Sequence, residues 1–117
     1  MTTNVLFFGW GRSMPGRESL SAQHFKDFSD YLAAQKGQGA IESFEPILLE
    51  PNGGGVTGFF LIHGATEQLN KLTSSTEWMR HITRAILHLD HPVLTRGVTG
   101  AALMERMGMW TSAIPKG

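Results

Sequence analysis

The 117-residue sequence contains no cysteine. That excludes disulfides, thiolate metal sites and cysteine nucleophiles. It also has no surplus of charge, since ten Lys and Arg balance ten Asp and Glu. A dedicated nucleic-acid binder normally carries a basic footprint, so no nucleic-acid partner is expected. No apolar run approaches the ~20 residues that span a bilayer, so no membrane partner is expected either. The first residues, MTTNVLFFGWGR, form neither a basic leader nor a signal-peptide cleavage pattern, which makes the cytoplasm the expected location. Repeats, low-complexity tracts and linkers are missing. The length fits one domain, 1–117, with a core at about 4–100 and a C-terminal helix at about 101–114.

Apolar periodicity supplies the elements. Val5–Trp10 reads as a strand and Gly11–Glu18 as a loop broken by Pro15 and Gly16. A helix follows, with Ser19 or Ser21 as its expected N-cap and Phe25, Phe28 and Leu32 on one stripe. Ile41–Glu50 is a strand that Pro46 places at an edge or a bulge. A turn at Pro51–Gly55 returns the chain along Val56–His63. A short helix spans Glu67–Thr73, and Ser74 to Glu77 forms a capping box for a second helix. That helix carries Trp78, Ile82, Ala85, Ile86 and Leu89 on one stripe, and Pro92 ends it. Val93–Gly100 is the fourth strand and Ala101–Ile114 a Met-rich last helix.

The order βαββαβ plus one helix predicts an α+β, ferredoxin-like sandwich with a four-stranded antiparallel sheet. Both sides of its strands are apolar: Phe7 opposes Leu6 and Phe8, and Phe60 and Ile62 oppose Phe59 and Leu61. Helices of one chain cover one face only. The second face would exceed the few hundred Å² of apolar patch that a monomer tolerates. A homodimer through the sheet faces is the expected cover, with the C-terminal helix as its rival.

The strand GFFLIHG, the two-part helix with its SSTEW junction and the strand VLTRGVTG together resemble the dimeric α/β-barrel superfamily over about residues 4–100. The resemblance implies two ferredoxin-like subunits packed sheet to sheet. That superfamily includes cofactor-independent antibiotic-biosynthesis monooxygenases, haem-degrading monooxygenases, stress-responsive barrel proteins and YCII-like proteins. In the haem-degrading branch a tryptophan ends the third strand and a histidine on the next helix ligates iron. Those places fall on His63 and Ile82 here, so no haem, and no other cofactor, is expected.

Candidate chemistry is sparse. His63 ends an apolar strand beside Gly64, where an imidazole with its ordinary value near ~6.5 can serve as general base. Trp10, Arg12, His24, Glu45 and Arg96 are the candidate ligand-binding residues. Arg12, with Arg17 and Met14, stands in the loop GWGRSMPG, whose glycine spacing does not match a dinucleotide fingerprint. Glu45 or Arg96, if turned into the sandwich, would need a partner. His88 and His91 are three apart, which suits a helix C-terminus better than a metal, and no metal site is expected. His81, Arg84 and His88 read as a solvated basic face opposite the Trp78 stripe. The expected function is binding of a small hydrophobic or aromatic molecule, with oxidation or isomerisation as possible chemistry. The alternative is a non-catalytic dimeric scaffold or stress-response module. A third reading, RNA binding, needs a solvent-exposed aromatic sheet with basic neighbours.

Overall fold

A computed structural model describes residues 2–116. Its elements are β1 (Val5–Trp10), α1 (Glu18–Gly37), β2 (Ser43–Leu48), β3 (Gly58–His63), α2 (Thr66–Thr73), α3 (Thr76–Ile86), β4 (Val93–Gly97) and α4 (Ala101–Ala113). The four strands form one antiparallel sheet in the order β2-β3-β1-β4. This α+β arrangement is compatible with the expected ferredoxin-like fold. No helix among the described residues is long and apolar enough to cross a membrane.

Period-two alternation sorts the strands into two faces. Leu6, Phe8, Trp10, Phe60 and Ile62 point to the helices and are buried. They pack with Phe28, Tyr31 and Leu32 of α1, Leu69 and Leu72 of α2, and Trp78 and Ala85 of α3. Phe7, Phe59 and Leu61 point the other way and stay half-buried, with the Phe7 and Phe59 rings 5.0 Å apart. Pro46 lies on β2, an edge strand, as a residue without an N–H requires.

Several boundaries differ from the sequence reading, each for a local reason. α1 begins at Glu18, before either expected serine cap, because the Pro15–Gly16 turn already aims the chain: Arg17 N–H donates to the Met14 carbonyl. Ser21 then lies inside the first turns and spends its hydroxyl elsewhere. Ser75, rather than Ser74, caps α3 by accepting from Trp78 N–H. α3 stops at Ile86, well before Pro92. There the backbone leaves the helix to pair with the segment after β1: Met14 N–H donates to His88 C=O, Asp90 N–H to Arg12 C=O, and Gly11 N–H to Asp90 C=O. Ile86 is therefore 54% exposed and drops out of the expected stripe.

α4 buries none of its residues. With it the chain reaches 55 Å in its longest dimension and a radius of gyration of 16.2 Å. A compact domain of this length would have about 13 Å.

Candidate functional site

The paired segments after β1 and α3 carry the chemistry. Ser13 forms an isolated antiparallel bridge with Leu89, which brings the loop after Trp10 against the turn holding His88. The first turns of α1 lie across both. Four polar side chains from three places in the chain thus meet. Ser13 Oγ lies 2.7 Å from Ser21 Oγ, and Ser21 Oγ lies 2.7 Å from His88 Nδ1. His88 Nε2 is 2.8 Å from His24 Nδ1. His24 Nε2 is in turn 3.0 Å from Nδ1 of a fifth residue, His81 on α3.

His24 and His88 are each 3% exposed. His24 belongs to the buried stripe of α1 with Phe28, Tyr31 and Leu32, so the helix itself directs it inward. Tyr31 places its ring 4.6 Å from that of His81, and Phe28 abuts both His24 and His81. Outside the chain of rings, Arg84 pairs with Asp27 at 2.8 Å. Arg17 holds the turn by donating to the Leu87 carbonyl.

All three imidazoles are held below their ordinary value of 6.5. Burial is the first cause for each, because a charged ring loses its hydration. His24 falls to about 3, with Arg84, His88 and His81 adding repulsion and Asp27 opposing. His88 is lowered further by Arg84 and Arg17. His81 is lowered by Arg84, against Glu77 and Asp27. At neutral pH the chain is therefore three neutral rings, each able to donate from one nitrogen and accept at the other.

The chain borders a cavity of about 400 Å³ between the sheet and α1. Phe8, Trp10, Phe25, Phe28 and Phe60 supply aromatic walls, and Ser13, Ser21, His24, Thr57 and His88 the polar side. Among the described residues, no Lys, Arg, Asp or Glu lines it. Gly58 leaves room for one wall: a Cβ there would come within 2.9 Å of the Trp10 ring and 2.7 Å of the Ile47 carbonyl.

A larger cleft, about 760 Å³, lies across the other side of β1. It runs along the glycine-rich turn and is bordered by Arg12, Glu50, Asp90 and His91. It contains no linked set of buried polar groups, which makes the smaller cavity the better candidate for chemistry.

Of the six residues that stand out in the sequence, the structure brings Trp10 together with His24 at the smaller cavity and with Arg12 at the larger cleft. His63 pairs with Val5 and Ser43, on the face away from the helices and at the far end of β3 from Gly58. Glu45 lies opposite Leu61 on the same outer face and is exposed, so no buried Glu–Arg pair forms. Arg96 does turn inward, opposite Leu6. It is spent on structure, donating to Asn70 Oδ1 at 2.6 Å and Thr73 Oγ1 at 2.9 Å of α2. Arg12 borders the larger cleft.

The solvated basic face expected for His81, Arg84 and His88 is corrected: His88 is buried, His81 half-buried, and both are turned toward α1. His91 stands apart, mostly exposed and 2.9 Å from Asp90. Among the described residues, no group of three His, Asp or Glu side chains could hold a metal ion. Sequence reasoning does not single out Ser13 and Ser21 as site residues. The legible signal is Ser21-x-x-His24-x-x-x-Phe28, one helix face carrying polar groups into an apolar stripe.

Comparison of the chain with protein-family models, with curated proteins and with solved structures gave no match.

Proposed function

We propose that this protein binds an uncharged, largely aromatic small molecule between its sheet and α1, and that Ser21, His88 and His24 perform acid–base chemistry on it. Cofactor-independent isomerisation or oxygenation is the matching class of reaction. The observation that carries this reading is the cavity of about 400 Å³ in which aromatic walls meet a pair of serine hydroxyls and two neutral imidazoles. The volume suits a small ligand. With no lining cation among the described residues, a carboxylate ligand is unfavourable, because its charge would be buried unpaired.

Titration calorimetry with 2-naphthol and 2-naphthoate at pH 7.5 tests it. The naphthol is expected to bind at least tenfold more tightly. Ser21→Ala is expected to weaken it by about three- to tenfold, the worth of one hydrogen bond. Equal or tighter binding of the carboxylate would sink the reading. Binding of neither would favour the second reading, a non-catalytic dimeric scaffold.

The same proposal pairs two copies through their outer sheet faces, as in the dimeric α/β-barrel superfamily that the chain resembles. Two uncovered apolar surfaces support it. Phe7, Phe59, Leu61 and Val93 lie on the sheet face that the chain's helices leave open. α4 exposes Met104 and Trp110, 70% and 65% accessible. Light scattering at micromolar concentration should give twice the 12.9 kDa chain mass, and Leu61→Glu should shift it to the monomer. A stable monomer for the unaltered chain contradicts the pairing.

A further inference from the structure

We infer that Ser13, Ser21, His88, His24 and His81 form a proton wire from the cavity to solvent, suited to moving a proton within an uncharged enolisable substrate without net oxidation. The inference rests on the proposed ligand pocket and goes beyond it by naming the route of the proton and the class of reaction.

The wire has a protected middle and two open ends. Its cavity end is the Ser13–Ser21 hydroxyl pair, both members of which line the cavity. Its other end is His81 Nε2. His81 is half-buried. Among the described residues the buried side-chain nitrogen or oxygen without a partner is Arg106 Nε, so His81 Nε2, which has no partner among them either, is open to solvent. Between the ends, every link is a hydrogen-bond distance of 2.7–3.0 Å. The His24 and His81 rings are within 9° of parallel.

Only two hydrogen patterns satisfy every link. In the first, Ser21 O–H donates to His88 Nδ1, His88 Nε2–H to His24 Nδ1, and His24 Nε2–H to His81 Nδ1. In the second, each donor and acceptor is exchanged. The first pattern is ready to accept. A substrate hydroxyl or α-carbon gives its proton to Ser21 Oγ as Ser21 passes its own to His88. His88 and His24 each hand on the proton from the opposite nitrogen, and His81 releases Nε2–H to water. The electron pair of the broken bond stays on the substrate as an enolate. The chain now stands in the second pattern, which is ready only to deliver.

Resetting needs a proton to enter at His81 and leave through Ser21 onto the substrate. Delivered to the other end of the enolate, it completes a keto–enol conversion. Atoms and charge balance with no oxidant. A reaction that removed protons without returning them would require each buried ring to flip between turnovers, and the aromatic packing around His24 opposes that.

Two measurements on the full chain test the wire. The first is imidazole ¹⁵N NMR at neutral pH. In the ligand-free protein, where water in the open cavity takes the place of the substrate, both ring nitrogens of His24 should resonate midway between protonated and bare values, as the two patterns exchange. His81→Phe, which retains a ring against Tyr31, should lock His24 into one tautomer. A single fixed tautomer in the unaltered chain overturns the wire while leaving ligand binding untouched.

The second follows exchange of the α-hydrogens of 2-tetralone, an uncharged enolisable ketone, in D₂O. The protein should accelerate deuterium incorporation, and His81→Phe should reduce it at least tenfold with binding of 2-tetralone unchanged. Binding without acceleration, or acceleration indifferent to His81→Phe, overturns the inference. Failure of 2-tetralone and 2-naphthol alike to bind removes the pocket reading beneath it.

Discussion

Phe28→Ala is expected to lower the folding free energy by about 3–5 kcal/mol, the usual loss for truncating a fully buried phenylalanine. Phe28 is 2% exposed and touches aromatic rings from every layer. Phe60 lies 4.9 Å from it and Phe8 5.7 Å, both edge-on, while Trp78 lies 5.7 Å away on α3. Edge-to-face pairs add to the area term, so the loss should lie toward the upper end of that range. A domain of this size commonly has about 5–15 kcal/mol in total, so the variant should sit near its unfolding midpoint in low urea. Equilibrium urea unfolding followed by tryptophan fluorescence measures it. A loss below about 1 kcal/mol would mean that α1 does not seat on the sheet through this ring. The same truncation should loosen the histidine chain, since Phe28 abuts both His24 and His81.

Acid should act on the histidine chain itself. A histidine whose folded value lies below its unfolded value binds its proton first in the unfolded state. Its contribution to stability is complete above about 6.5 and is lost as pH falls from there toward the folded value. For His24 the window runs from 6.5 down to about 3. His88 and His81, also lowered, act in the same direction. Around the three rings, Arg84 and Arg17 sharpen the effect and Asp27 and Glu77 soften it. The loss across the window should be on the order of a few kcal/mol. Urea unfolding at successive pH values should show stability falling steadily below pH 6.5. His24→Gln, which cannot take up a proton, should flatten that slope. A slope identical in the variant would show that His24 does not resist protonation.

The two predictions share a cause. α1 is held to the rest of the molecule by one contiguous surface, in which the aromatic cluster and the imidazole chain are neighbours. What makes the core dense there also keeps the histidines uncharged. Low dielectric around neutral rings is the condition under which they can pass protons rather than store charge.

Element order, two-faced strands and the buried Trp78 are legible in the sequence because they depend on local periodicity and on punctuation by glycine and proline. The edge position of β2 follows from one missing N–H at Pro46. His24 and Trp10 stand out in the sequence as candidate ligand-binding residues, yet nothing local says that they share a cavity. His24 is 57 residues from His81 and 64 from His88, and their meeting depends on the rotation of α1 against α3. One residue changes a helical direction by about 100°. The spacing of His81 and His88 therefore marks a common face but not whether it meets water or α1. The faces of Glu45, His63 and Arg96 depend on strand register, where a shift of one reverses every side chain. Pairing of Gly11–Met14 with His88–Asp90 is invisible in the sequence for the same reason: it is backbone bonding between segments distant in the chain. The sequence by itself determined the order of the elements and the apolar character of both strand faces. The tertiary structure alone decided that a serine pair and two neutral histidines stand at one cavity with a third histidine behind them, because only the packing of α1 against α3 and the pairing of the segments after β1 and α3 bring their nitrogens and oxygens within a hydrogen bond of each other.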